Sequence, residues 1–242
     1  MTKRGRWRLH LLVSSLLAIG SLLVGCVLPS DIVKSKEAKP MQYLALGDSY
    51  TIGESVTENE RWPVQLAAQL RDAGVIIDQP MIIARTGWTT GDLLDALERQ
   101  QPQGPFALVS LLIGVNNQYQ GRSIDEYRTQ FHTLLQKSLA LAGGKPEHLL
   151  VLSIPDWGVT PFAAKRNQPE IGAAIDGFNL INREETRQAG ATYIDITPIS
   201  RQAANDGALI AVDGLHPSGK MYKLWVALAL PAAQAVLQTK PR

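Results

Sequence analysis

From position 41 onward, short apolar runs alternate with longer stretches of helical spacing, and this alternation constrains the fold more than any other feature. The runs occupy 42–46, 80–84, 106–113, 149–154 and 192–196. Between them, apolar residues recur every three or four positions, the period of a half-buried helix. Trp62, Leu66, Leu70 and Ala73 line the first such stretch. Leu93, Leu94 and Leu97 mark the second, entered through Thr89-Thr90-Gly91-Asp92. Ile124, Tyr127, Phe131, Leu134, Leu135 and Leu139 mark the third behind a Ser123 cap, and Ile171, Ile175, Phe178 and Ile181 the fourth. Met221, Leu224, Trp225 and Leu228 define the last, with Pro217 near its first turn. Strand–helix alternation predicts a parallel sheet covered on both faces. Ligands of such sheets bind at the carboxyl ends of the strands. Those ends read Gly47-Asp48-Ser49, Arg85-Thr86-Gly87-Trp88, Gly114-Val115-Asn116-Asn117 and Pro155-Asp156-Trp157, all expected to face one crevice.

These residues are the ingredients of acyl transfer. Ser49 supplies an oxygen nucleophile, and Asp213-Gly214-Leu215-His216-Pro217 near the C-terminus supplies a base and its orienter. His216 would take the serine proton while Asp213 holds the imidazole in the correct tautomer. Gly87, lacking Cβ, lets a backbone N–H approach a substrate closely, and Asn116 offers an amide donor. Each donor aimed at a developing oxyanion is worth about 3 kcal/mol of barrier. Blander roles stand beside these. Ser49 has the position of a helix cap; Asp48 reads as a structural acceptor for loop N–H groups. Asn117 can serve as the turn residue, leaving Asn116 free. Gly87 equally suits a plain strand-end turn. Trp88, Trp157 and Phe162 either line the crevice or pack in the core, and core packing is the default. Lys165 and Arg166 read as solvated charges. Of four histidines, His10 lies in the N-terminal leader, His132 reads as a partly exposed helix residue and His148 as a surface residue; His216 alone has a nearby carboxylate in a loop.

In this order, the four blocks resemble the SGNH hydrolases, also called the GDSL esterase/lipase family. Gly47-Asp48-Ser49-Tyr50 is similar to the nucleophile block, Gly87 within 84–90 to the glycine block, Gly114-Val115-Asn116-Asn117 to the asparagine block, and Asp213-Gly214-Leu215-His216-Pro217 to the Asp-x-x-His block. The likeness runs from Met41 to the last helix. It implies a three-layer α/β/α sandwich with a flavodoxin-like, five-stranded parallel sheet. It also implies a catalytic triad of Ser49, Asp213 and His216, and an oxyanion hole from the Ser49 N–H, the Gly87 N–H and the Asn116 side chain. Tyr50 stands where the family's name motif has leucine. Asn117 stands where an aspartate often follows the catalytic asparagine, so whatever that aspartate stabilises is weakened or rebuilt here. The implied activity is carboxylic ester hydrolysis, on short acyl or acetyl esters, acylated glycans or lysophospholipids. The alternative is a glycan-binding surface lipoprotein that kept the fold and lost the chemistry.

The N-terminus addresses location. Lys3, Arg4, Arg6 and Arg8 precede an apolar stretch, Leu11 to Val24, and a small-residue exit, which is the order of a secretory signal peptide over 1–25. Cys26 is the only cysteine, so an internal disulfide is impossible. Leu23-Val24-Gly25-Cys26 resembles a bacterial lipoprotein box, which implies cleavage before Cys26 and its lipidation. Val27, rather than aspartate, favours the outer membrane if the organism is Gram-negative. Residues 26–40 read as a lipidated tether with a reach of roughly 20 Å, and 41–242 as one hydrolase domain of about 200 residues.

The whole chain carries 24 basic and 22 acidic residues. Losing the four cations of the leader leaves the mature chain at about −2, so the basic balance gives no argument for nucleic acid. Gly214-Leu215-His216-Pro217-Ser218-Gly219-Lys220 has phosphate-loop spacing, but Met221 stands where a magnesium-binding Ser or Thr belongs. Thr51 replaces the second glycine of an α/β-hydrolase nucleophile elbow. No cofactor or metal is expected, and a monomer is.

Overall fold

The computed structural model describes residues 39–238. The expected signal segment, Cys26 and nearly all of the tether lie outside the described residues. The five apolar runs form five strands: β1 Tyr43–Gly47, β2 Met81–Ala84, β3 Leu108–Leu112, β4 Leu149–Leu152 and β5 Thr192–Ile194. They pair in parallel in the order β2-β1-β3-β4-β5. β1, β3 and β4 are buried along their whole length, as strands covered on both faces must be, while edge strand β2 leaves Met81 exposed.

Among the described residues eight α-helices accompany the strands: α1 Ser49–Ile52, α2 Trp62–Asp72, α3 Thr90–Gln100, α4 Val115–Tyr119, α5 Ile124–Leu141, α6 Gln168–Gln188, α7 Thr197–Arg201 and α8 Gly219–Leu237. α2 packs on α8, and α5 packs between α3 and α6. Right-handed crossovers place these two groups on opposite faces of the sheet, giving the expected three layers. α3 starts at a capping box in which Thr89 and Asp92 satisfy each other's backbone N–H. Ser123 caps α5, and Ser218 caps α8. Three helix faces differ from the expected ones. Ala73 is exposed, at the cap that follows α2. Ile124 is exposed at the start of α5. On α8 the buried stripe is Met221, Tyr222, Trp225, Val226 and Ala229, with Leu224 and Leu228 at its exposed margin. Periodicity counted the leucines; packing against α2 selected the neighbouring aromatic face.

The strand order reverses between β1 and β3, and this is the switch point at which a doubly wound sheet opens a crevice. The loops leaving β1, β2 and β3 all reach it.

Candidate active site

Ser49 is the first residue of α1, directly after β1. The cap of that helix is Asp48: its Oδ1 accepts the Tyr50 N–H at 3.0 Å. Ser49 is therefore not the cap, and no hydrogen bond within the described residues holds its Oγ. Asp48 is fully buried, and its Oδ2 has no hydrogen-bond partner among the described residues. Burial pushes this carboxyl up to about 8, although the Tyr50 N–H works against it. Tyr50 is buried too, and its ring packs 5.4 Å from the His216 imidazole and 6.4 Å from Trp225. The residue that departs from the name motif is thus a shelf beneath the histidine.

His216 and Asp213 occupy the segment between α7 and α8. Nδ1 of His216 lies 2.5 Å from Asp213 Oδ2, while Asp213 Oδ1 accepts the Leu215 and His216 N–H groups at 2.9 and 3.0 Å. Burial opposes ionisation of Asp213, but the His216 contact, the Leu215 N–H, the Ser55 hydroxyl and the His216 N–H outweigh it. They hold its carboxyl well below the usual range. An ionised carboxylate only accepts, so Nδ1 carries the imidazole proton and Nε2 keeps its lone pair.

Gly87 lies at φ 84°, in a turn closed by the Trp88 N–H on the Arg85 carbonyl at 3.2 Å, and a Cβ there would meet nothing within 4 Å. Backbone conformation, rather than crowding, therefore calls for glycine. Asn116 stands on α4. Its Nδ2 donates one hydrogen to the Trp88 carbonyl at 3.0 Å, which aims the amide and leaves the second hydrogen unspent. Gly114, before α4, meets both demands at once: φ is 128°, and a Cβ would sit 2.6 Å from the Tyr127 ring. Asn117 is fully buried. It accepts the Thr90 N–H at 2.9 Å and donates to Thr90 Oγ1 at 2.7 Å, so its amide ties α4 to the start of α3.

Ser49, Gly87, Asn116 and His216 all line one cavity of about 180 Å³ at the switch point. Its apolar wall is Tyr119, Trp157 and Phe162, whose ring centroids lie 5.4–6.3 Å apart. Two of the three candidate aromatics therefore reach the crevice. Trp88 does not line it; that side chain packs partly buried against the core. Tyr119 was not among the candidates, although it follows Asn116 by three helical positions and so shares its face. Arg166 is not simply solvated: its guanidinium lies 5.2–5.4 Å from all three ring centroids, which holds the wall from outside. Asp156 turns away from the cavity. It caps the Trp157 turn through the Gly158 N–H and pairs with Arg201 at 2.9 Å. His132 is exposed and paired with Glu185, and His148 is half-buried on the Ala107 carbonyl.

Fold and cavity together define a class, the three-layer α/β/α hydrolases with their polar groups gathered at the switch point. The chain belongs to the GDSL-like lipase/acylhydrolase family, which residues 45–224 match, and is a carboxylic ester hydrolase. No curated protein matches it by sequence. Among solved structures it is similar to TesA, at 19% identity and a TM-score of 0.65, over 81% of this chain and 100% of that one. The psychrotrophic esterase EstA from Pseudoalteromonas sp. gives 18% and 0.62, over 82% of this chain and 100% of that one. Axe2, an acetylxylan esterase from Geobacillus stearothermophilus, gives 15% and 0.59, over 83% and 95%. At these identities the likeness is one of fold.

Proposed function

We propose that the protein hydrolyses short acyl esters through an acyl-enzyme on Ser49. The observation that carries this reading is the His216–Asp213 pair, bonded at 2.5 Å, with His216 opening on the cavity that Ser49 lines. Nε2 of His216 takes the hydroxyl proton as Ser49 Oγ attacks the ester carbonyl. The oxyanion forms against the Ser49 N–H, the Gly87 N–H and the free Asn116 amide hydrogen. His216 then passes the proton to the leaving alcohol and activates water to release the acid. Asp213 stabilises the imidazolium throughout. A cavity of about 180 Å³ is smaller than the roughly 300 Å³ at which drug-sized ligand sites begin, which favours acetyl and other short acyl groups. The substrate is then an acylated glycan, whose sugar hydroxyl is the leaving alcohol, in preference to a lysophospholipid with its longer acyl chain.

A fluorophosphonate probe tests the chemistry, because only an activated serine labels quickly. Rapid labelling at Ser49, absent in Ser49→Ala, is expected; an unlabelled folded protein would instead favour a glycan-binding lipoprotein without catalysis. Asp213→Asn should cost about ten-thousand-fold in turnover, as in a serine-protease triad. Adding Ser49→Ala should cost little more, because triad members act as a unit. The mature chain is further proposed to start at a lipidated Cys26, to sit at the membrane, in the outer membrane if the cell is Gram-negative, and to work as a monomer without nucleic acid.

A further inference from the structure

The loop between α1 and α2 makes a contact that the proposed chemistry leaves unused. Ser55 Oγ donates to Asp213 Oδ2 at 2.7 Å, on the same oxygen that receives the His216 Nδ1–H. The other two donors to this carboxylate belong to its own turn. Among the described residues, Ser55 is thus the one donor that reaches Asp213 from another part of the chain, 158 positions away. Its backbone sits at φ 65°, in the left-handed region that a residue with a side chain rarely adopts. Such a conformation persists where the surroundings over-determine it, and here they do. The Gly53 and Glu54 N–H groups both donate to the Ser49 carbonyl at 3.0 Å. The Glu54 carboxylate accepts from the Thr86 hydroxyl, next to Gly87. Residues 53–55 are therefore bound to the backbone of Ser49, to the turn that carries Gly87, and to Asp213.

Building on the triad reading, we infer that Ser55 is a positioning residue for ester hydrolysis: its hydroxyl fixes the Asp213 carboxylate, and through it the His216 imidazole, relative to the helix that begins at Ser49. Asp213 needs such a tie because its side chain is 29% exposed and its remaining anchors move with its own loop. Displacing a catalytic group by about 1 Å can cost a hundred-fold in rate.

Ser55→Gly separates positioning from mere loop structure, because glycine removes the hydroxyl and accepts the left-handed backbone without strain. The expected result is a Tm at or above that of the parent chain with turnover of a nitrophenyl acetate lowered about tenfold, the effect of losing one hydrogen bond to a charged group. The acid limb of kcat/KM against pH should also move upward, because a carboxylate with one donor fewer holds a protonated imidazole more strongly. Ser55→Ala, which keeps the Cβ, should lose the same turnover. Parent-like turnover and an unmoved acid limb in the folded glycine variant overturn the inference. Asp213→Asn measured alongside keeps two failures apart. Full activity in that variant sinks the triad reading itself. A large loss there, with a parent-like Ser55→Gly, sinks only the role of Ser55. Combined with Asp213→Asn, Ser55→Gly should cost nothing further, since it acts through that carboxylate; an additive loss also overturns it.

Discussion

At the scale of single residues, two adjacent asparagines on α4 do different work. Asn116 is half-buried, lines the cavity and donates to the Trp88 carbonyl; Asn117 spends its amide on Thr90. Asn116→Ala should lower turnover a hundred-fold or more, roughly the cost of one oxyanion donor, with stability reduced by no more than about 1 kcal/mol, the worth of its bond to Trp88. Asn117→Ala should do the reverse, losing about 1–3 kcal/mol of stability by stranding the buried Thr90 N–H, with a smaller effect on turnover. Steady-state kinetics and urea titration on both variants check this, and the opposite assignment would exchange their roles. Asp48 provides a second residue-scale prediction. Its carboxyl is pushed up from 3.8 to about 8 by burial, so the folded state holds a proton there that the unfolded state releases. This contribution is fully present below about pH 4 and is lost as pH rises through about 8. Asp48→Asn keeps the acceptor for the Tyr50 N–H and has nothing to titrate. Denaturant midpoints measured across that window should fall with pH more steeply for the parent chain than for the variant. Parallel curves would mean that Asp48 is not the group responsible.

At the scale of elements, the apolar wall of the cavity is assembled from a helix and the segment after β4, and is held from behind. Tyr119 comes from α4; Trp157 and Phe162 come from the segment after β4. Trp157 Nε1–H donates to Gln118 Oε1 at 2.7 Å, which joins the two sides. Arg201, on α7, grips the buried Asp156 that caps the Trp157 turn. On the proposed chemistry the wall meets the bound ester without supplying a reacting group. Phe162→Ala is therefore expected to raise KM several-fold, at nearly constant kcat, the pattern of uniform binding lost. A fall in kcat of the same size with KM unchanged would place Phe162 in the chemistry instead. Helix α8 shows why element existence was easier to foresee than element orientation. Its span was legible from Met221 and Trp225. Its buried face was not, because leucine and tyrosine both suit a helix interior and only the shape of α2 chose between them.

At the scale of the whole molecule, Met41 is already part of the domain. Its N–H donates to the Ile76 carbonyl at 2.8 Å, and its carbonyl receives the Asp78 N–H at 2.9 Å. A chain starting at Lys39 should therefore fold and hydrolyse the same esters at the same rate. Among the described residues no helix is long and apolar enough to cross a membrane; the proposed lipidation of Cys26 has its own test. Cys26→Ser in the full chain should abolish acyl incorporation while leaving ester hydrolysis intact. Metabolic labelling with a fatty acid decides; labelling that survives the substitution would remove Cys26 as the anchor.

The sequence by itself determined the layer architecture, because apolar runs and 3.6-residue periodicity report burial directly. It also determined which residues stand at strand ends, since Ser49, Gly87 and Asn116 each follow an apolar run at once. His216 and Asp213 were legible as a pair because they stand three positions apart. Only the tertiary structure decided what lies between distant segments. That Trp157 reaches the cavity while Asp156 turns to Arg201, that Tyr50 supports the imidazole, and that Ser55 completes the shell of Asp213 are all facts about contacts. Contacts across 158 positions leave no local pattern, because side-chain chemistry at one end of such a pair places no constraint on its neighbours in the chain.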